Sequence, residues 1–239
     1  MHISRFRSQK SIGTAYVVLV FAMAAGIRPA AAEDTPKRLD KAVAVLNKLT
    51  DPSGHGISPE EITTSDCVAV IPGFKKGAAV VGVSFGRGFI SCRNGENWSA
   101  LGAVTLEGGS LGVQIGAEKM DIVILSLDKQ RRSKLLSDRF TIGSDASAAW
   151  GNGKSAHGDP NAKILFFGNT KGAFGGFDLD GTTLKPDDSG NKVLYGKSIT
   201  NSEIVEGAAT PAVAQPLVSK LASLIHPEPA TASVSRSTP

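Results

Sequence analysis

The strongest constraint on this chain is a change of period along it. From Pro36 to Thr50 the pattern is helical: Leu39, Val43, Leu46 and Thr50 fall at i, i+4, i+7 and i+11, with Ala42 and Leu49 beside them. From Cys67 to Leu184 the apolar residues come instead in short runs or in alternation. Pro72-Gly73, Gly86-Arg87-Gly88, Asn94-Gly95 and Asp180-Gly181 punctuate them. A helical period returns after Thr210-Pro211, where Leu217, Leu221 and Leu224 share one face. Strands in series between terminal helices predict an α+β fold. It is β-rich, with mostly antiparallel strands in packed sheets and amphipathic helices at the N- and C-terminal ends.

Local signals refine that outline. Ser58-Pro59-Glu60-Glu61 predicts a short helix, with Ser58 as cap, Pro59 at the first helical position and Glu61 completing a capping box. Strands are expected over 67–71, 77–85 and 89–92, with Pro72-Gly73 and Gly86-Arg87-Gly88 read as turns between them. Further strands are expected over 98–106, 110–116 and 121–127. A basic helical stretch covers 128–136, and Phe140 to Trp150 alternate. Residues 151–160 read as a loop, and closing strands cover 162–167, 172–179 and 182–184.

The first 32 residues predict export. Arg5, Arg7 and Lys10 precede an apolar stretch from Ile12 to Gly26, and Ala30 and Ala32 offer small residues at −3 and −1 before Glu33. A signal peptidase reads that arrangement. The expected organisation is a signal peptide over 1–32, one domain over 33–225, and a disordered Pro/Ser/Thr-rich tail over 226–239. The expected location is periplasmic or secreted after cleavage near Ala32.

Removing the leader also changes the charge. The chain has 26 Lys+Arg and 22 Asp+Glu. Residues 1–32 hold Arg5, Arg7, Lys10 and Arg28 and no acid, so the remainder carries equal numbers of each. A nucleic-acid-binding domain needs a basic footprint of its own, so that class is set aside. Cys67 and Cys92 could form one disulfide in an oxidising compartment, or remain two small buried thiols.

Catalytic chemistry finds little to stand on. His55, His157 and His226 and the two cysteines match no zinc spacing, so no metal is expected. There is no Gly-x-Ser-x-Gly, and the glycines at 82, 86 and 88 do not make a phosphate loop. No cofactor and no enzymatic activity are expected. The first helix is the sharpest candidate site. Lys37, Arg38, Lys41 and Lys48 lie beside an apolar stripe containing Leu39, Val43 and Leu46, as suits an anionic lipid surface. The competing reading is an ordinary amphipathic helix packed on the sheet. A second basic cluster, Lys129, Arg131, Arg132, Lys134 and Arg139, reads as a solvated face.

The strand region also resembles a known family. Val68-Ala69-Val70-Ile71-Pro72, Lys76-Gly77, Val81-Gly82 to Gly88 and Trp98-Ser99 lead into Gly108 to Gly116. Asp121 to Leu125, Lys171 to Gly176 and Tyr195-Gly196 follow. This ordered series is similar to the SYLF domain, a lipid-binding and actin-patch-related family with many exported bacterial members. The resemblance implies a compact, non-enzymatic α+β domain that binds acidic phospholipid through a basic amphipathic N-terminal segment. It departs from the family at Leu101, where Pro is common, and around Phe167-Gly168-Asn169, where an aromatic-Ser pair is usual. The lysine-rich actin-binding segment of eukaryotic members is not evident, and an exported bacterial chain would not meet actin. The expected partner is an anionic membrane lipid, or an envelope protein.

Overall fold

The computed structural model describes residues 35–51, 56–78, 81–111, 116–145, 148–151, 156–158, 161–170, 179 and 181–226. The predicted leader, the tail beyond His226 and most of the expected strand 172–179 lie outside them. The described residues fall in one unit, Asp34–Pro239.

Helix α1 spans Thr35–Leu49 and α2 spans Pro59–Thr64. The predicted capping box is in place: Ser58 Oγ accepts from Glu61 N, and Glu61 Oε2 accepts from Ser58 N. Strands β1 (Cys67–Ala78), β2 (Val81–Asn94) and β3 (Asn97–Trp98) come next. β4 (Gly102–Leu111) and β5 (Gly116–Ser126) follow. A turn of 3₁₀ helix and α3 (Arg132–Leu135) interrupt before β6 (Phe140–Thr141). β7 (Ala148–Gly151), β8 (Ala156–Gly158), β9 (Ile164–Thr170) and β10 (Thr183–Pro186) complete the sheet. Helices α4 (Asp188–Tyr195), α5 (Asn201–Gly207) and α6 (Gln215–Ile225) close the chain.

The fold is α+β and mostly antiparallel. Strand order is β6-β10-β4-β2-β1-β5-β9-β7-β8, with β3 paired to β2. The β7–β9 pairing is parallel. Each face of the sheet buries its own cluster. One cluster gathers Val68, Val70, Phe89, Val123 and Phe167 under Leu39, Leu46, Leu217 and Leu221 of α1 and α6. The opposite face gathers Ile71, Phe74, Ile90, Leu106, Ile122 and Phe166 with Leu135, Phe140 and Leu179. Alternation along the strands makes this possible, since successive side chains point to opposite faces.

Two expected turns are not turns. β1 runs through Pro72-Gly73 as a bulge, where its register to β2 and β5 shifts. Gly73 takes φ +64, and its N–H donates to Asp121 Oδ1 at 2.9 Å. β2 likewise runs unbroken through Gly86-Arg87-Gly88. These two glycines serve close approach: a Cβ on Gly88 would stand 1.9 Å from the Val70 carbonyl oxygen, and one on Gly86 2.6 Å from Ile71 Cγ2. The expected break between 106 and 110 is also absent, because β4 continues to Leu111. The expected loop over 151–160 contains β8. Helices α4 and α5 go beyond the expected elements. Their docking is polar: Asn191 Oδ1 accepts from Ala103 N, Asn201 Nδ2 donates to Ala103 O, and Asn191 Nδ2 donates to Asn201 Oδ1.

Candidate functional site: a basic helix and an uncovered end of the sheet

Helix α1 divides the seven residues of the sequence-derived site. Lys37, Lys41 and Lys48 are exposed on its outward side, at i, i+4 and i+11. Val43 is half-buried against the core. Leu39 is 3% exposed and Leu46 is fully buried, so neither can insert into a bilayer while the helix is docked. Each buried Leu or Val contributes roughly 1.5–3 kcal/mol. Peeling the helix away would expose Val70, Phe89 and their neighbours as well, and a membrane would cover only the helix.

Arg38 corrects the expectation further. It is 6% exposed and points into the protein. Its Nη1 lies 3.8 Å from Asp187 Oδ2, and its guanidinium sits 5.3 Å from the centre of the Phe89 ring. Arg87 Nε lies 3.7 Å from the same Asp187 oxygen. The other oxygen of Asp187 accepts from Gly190 N and Ser189 Oγ, capping α4. One buried carboxylate thus ties α1, β2 and α4 together. A buried carboxylate needs such partners. Arg38 belongs to that junction, not to a lipid-facing surface.

The second basic cluster is partly structural too. Arg132 grips the buried Asp66 with Nε at 2.9 Å and with Nη2 on the other oxygen. Hydrogen bonding to Asp66 raises the Arg132 guanidinium above its ordinary range, against the opposing effect of burial. Lys134 lies 3.8 Å from Asp145, and Arg131 pairs with Asp128. Cys67 and Cys92, register partners across β1–β2, are joined at S–S 2.02 Å and buried in the cluster opposite the helices.

The helix-side face of the sheet continues past α1. Along β2, Phe89, Arg87, Phe85 and Val83 share one face, and their register to β4 is unbroken. Phe89 is buried under the helix, whereas Phe85 is 46% and Val83 65% exposed. Lys75 lies directly across from Phe85 on one side and from Lys119 on the other. These residues, with Lys76, Gly77 and Ser84, line an open groove of about 460 Å³. Nothing in the sequence patterning singles it out. Lys75, Phe85 and Lys119 meet only through the register of β1, β2 and β5.

A family model described as "Ysc84: Las17-binding protein actin regulator" matches residues 107–224. The SH3 domain-containing protein PJ696.02 of Schizosaccharomyces pombe is 32% identical over 202 residues, 77% of this chain and 46% of that protein. The chain belongs to the SYLF, or Ysc84, family. Protein YSC84 of Saccharomyces cerevisiae is 28% identical over 198 residues, covering 77% of this chain and 42% of the yeast protein. The SH3 domain-containing YSC84-like protein 1 of Xenopus laevis is 28% identical over 169 residues, 66% of this chain and 50% of the frog protein. The chain therefore spans about half the length of these relatives. No solved structure matches it.

Several residues that carry the SYLF resemblance prove to hold the fold. Trp98 Nε1 donates to Leu221 O at 3.0 Å, and Arg93 stacks 4.2 Å from its ring. Ser99 Oγ accepts from Cys92 N at 3.1 Å. Tyr195 Oη donates to Leu101 O at 2.8 Å, and burial pushes its hydroxyl up to about 12. Gly196 takes φ +70 to end α4. Among the described residues no helix is long and apolar enough to cross a membrane.

Proposed function

We propose that this SYLF protein is a non-enzymatic, exported protein that binds anionic phospholipid peripherally at a membrane surface. The observation that carries the reading is the outward stripe of Lys37, Lys41 and Lys48 on α1. Packing against the core holds that helix, so the three ammonium groups are presented without an ordering cost for the backbone. Each base near an anionic leaflet contributes roughly 1 kcal/mol, so the stripe alone supports salt-sensitive adsorption. The Cys67–Cys92 bond supports an oxidising compartment, as the leader pattern over 1–32 does.

A second reading is a protein-interaction module of the cell envelope. The family description names Las17 binding, which is a property of those relatives. It favours a protein partner for the SYLF scaffold as such. In that case α1 is a scaffold helix whose amide protection is indifferent to lipid.

Co-sedimentation with vesicles at low and moderate salt separates the two. Lipid binding predicts capture by phosphatidylglycerol-containing vesicles and not by phosphatidylcholine alone, with loss of capture as salt rises. Replacing Lys37, Lys41 and Lys48 by Gln should weaken it by one to two orders of magnitude at low salt. Indifference of the unmodified chain to both vesicle types would sink the lipid reading.

A further inference from the structure

We infer that the uncovered groove at the end of β1, β2 and β5 is the point where this protein enters the membrane interface. Val83 and Phe85 would supply the apolar insertion, and Lys75 and Lys119 would grip a lipid phosphate. This rests on the lipid-binding reading and relocates its apolar half from α1 to the sheet.

The first observation is exposure. Val83 and Phe85 stand two residues apart on one strand, hence side by side on one face, at 65% and 46% exposure. Isolated exposed apolar residues need no explanation, but an adjacent pair lining a groove beside cations does. Interfacial binding surfaces have this composition, with apolar residues that enter the acyl boundary and basic residues around them.

The second observation is independent. Lys75 and Lys119 are direct register partners across the antiparallel β1–β5 pair, and both are exposed. Like charges directly opposite one another destabilise a sheet. An anionic group between them turns that repulsion into two charge-assisted contacts. Lys76, the next residue along β1, alternates to the other face and lines the groove only at its edge. Charge around the groove favours an anion. Glu107, opposite Phe85, is held by Lys185, and Asp121 accepts from the Gly73 N–H.

The third observation is continuity with the helix. Arg38, next to Lys37, lies over Phe89, and Phe89 leads along the same face of β2 through Arg87 to Phe85 and Val83. The basic stripe and the groove therefore belong to the same side of the sheet, where one lipid surface can meet both.

The test uses the full chain with phosphatidylglycerol/phosphatidylcholine vesicles and with phosphatidylcholine alone. Lys75→Gln/Lys119→Gln should bind anionic vesicles about tenfold more weakly than the unmodified chain. Phe85→Ser should weaken binding with little change in its salt dependence. All three positions are exposed, so far-ultraviolet circular dichroism should be unchanged. In Phe85→Trp the added indole emission should shift to the blue on anionic vesicles. That shift should persist, at higher lipid, when Lys37, Lys41 and Lys48 are also replaced by Gln. If the unmodified chain binds anionic vesicles and both groove variants bind equally well, the groove is not the entry point and the lipid-binding function stands. An indole at position 85 that stays in water on bound vesicles would likewise rule the groove out as the entry point. If the unmodified chain does not bind at all, the lipid reading itself fails and takes this inference with it.

Discussion

The helix-side face of the sheet has two halves built on the same strands. In one half, Val68, Val70, Phe89 and Val123 lie under α1 and α6 and are buried. In the other half, past the bulge at Pro72-Gly73, the face carries Lys75, Val83, Phe85 and Lys119 in the open. β-branched and aromatic residues occur in both halves, so strand propensity does not distinguish them. The interleaved lysines do. Where a helix seals the face, alternation yields a core. Where none of the described helices does, the same alternation yields a half-apolar, half-cationic surface. The difference separates residues that hold the molecule together from residues offered to something else.

The greatest loss of stability is expected at a glycine in the buried part of β2. Gly88→Ala places a Cβ 1.9 Å from the Val70 carbonyl, which belongs to the backbone and has little room to yield. Overpacking of this kind, against backbone, should cost about 3 kcal/mol in chemical denaturation. Gly77→Ala, in the uncovered half, meets nothing within 4 Å and should change stability by less than about 0.5 kcal/mol. Gly88 faces the cluster opposite the helices and Gly77 the groove, so equal losses would mean that the two ends of the β1–β2 pair are equally close-packed.

Those glycines also mark how far the sequence is legible. Periodicity finds α1 and α6, and the Ser58–Glu61 box finds α2, because each signal is local. Gly86 and Gly88 read as turn residues because a glycine does not reveal whether it is needed for its φ or for the space above it. α4 and α5 escape because their buried faces include Asn191 and Asn201, which dock by hydrogen bonds and leave only a short apolar pattern. Their caps are nonetheless written locally, in Asp187, Gly196 and the Thr200–Glu203 box. At the candidate site, the lysines of α1 are legible from helical spacing. Arg38 reads as one more surface base because its partner, Asp187, lies far along the chain. The groove is illegible for the same reason, since Lys75 and Lys119 become neighbours only through strand register.

An intermediate effect should sharpen the division within α1 itself. Arg38→Ala removes one of two guanidinium groups from the buried Asp187 carboxylate, and the ring contact to Phe89 with it. Losing one partner of a buried ion pair typically costs 3–5 kcal/mol, and Arg87 remains, so about 2–3 kcal/mol is expected by thermal or urea unfolding. Lys41→Gln, three residues on and exposed, should stay within about 0.5 kcal/mol while weakening capture by anionic vesicles. The two substitutions remove the same charge from the same helix. If they proved equivalent in stability, Arg38 would have to return to the surface set.

The smallest effect is the most telling, because its sign is unusual. Most substitutions destabilise, yet Lys75→Gln should stabilise the isolated protein by roughly 0.2–1 kcal/mol, since it relieves the direct opposition of two ammonium groups across β1–β5. Lys119→Gln should do the same. The double replacement should add little beyond either single change, because the repulsion is already gone. Salt should shrink the gain by screening it. The same replacements are expected to weaken vesicle binding, so stability and binding would move in opposite directions at one pair of residues. A functional surface commonly shows that opposition, as groups arranged for a ligand sit badly without it. Lysines that merely solvate a strand would show no such coupling. A loss of stability on replacing either one would mean that the pair is already satisfied within the protein and has nothing left to offer a phosphate.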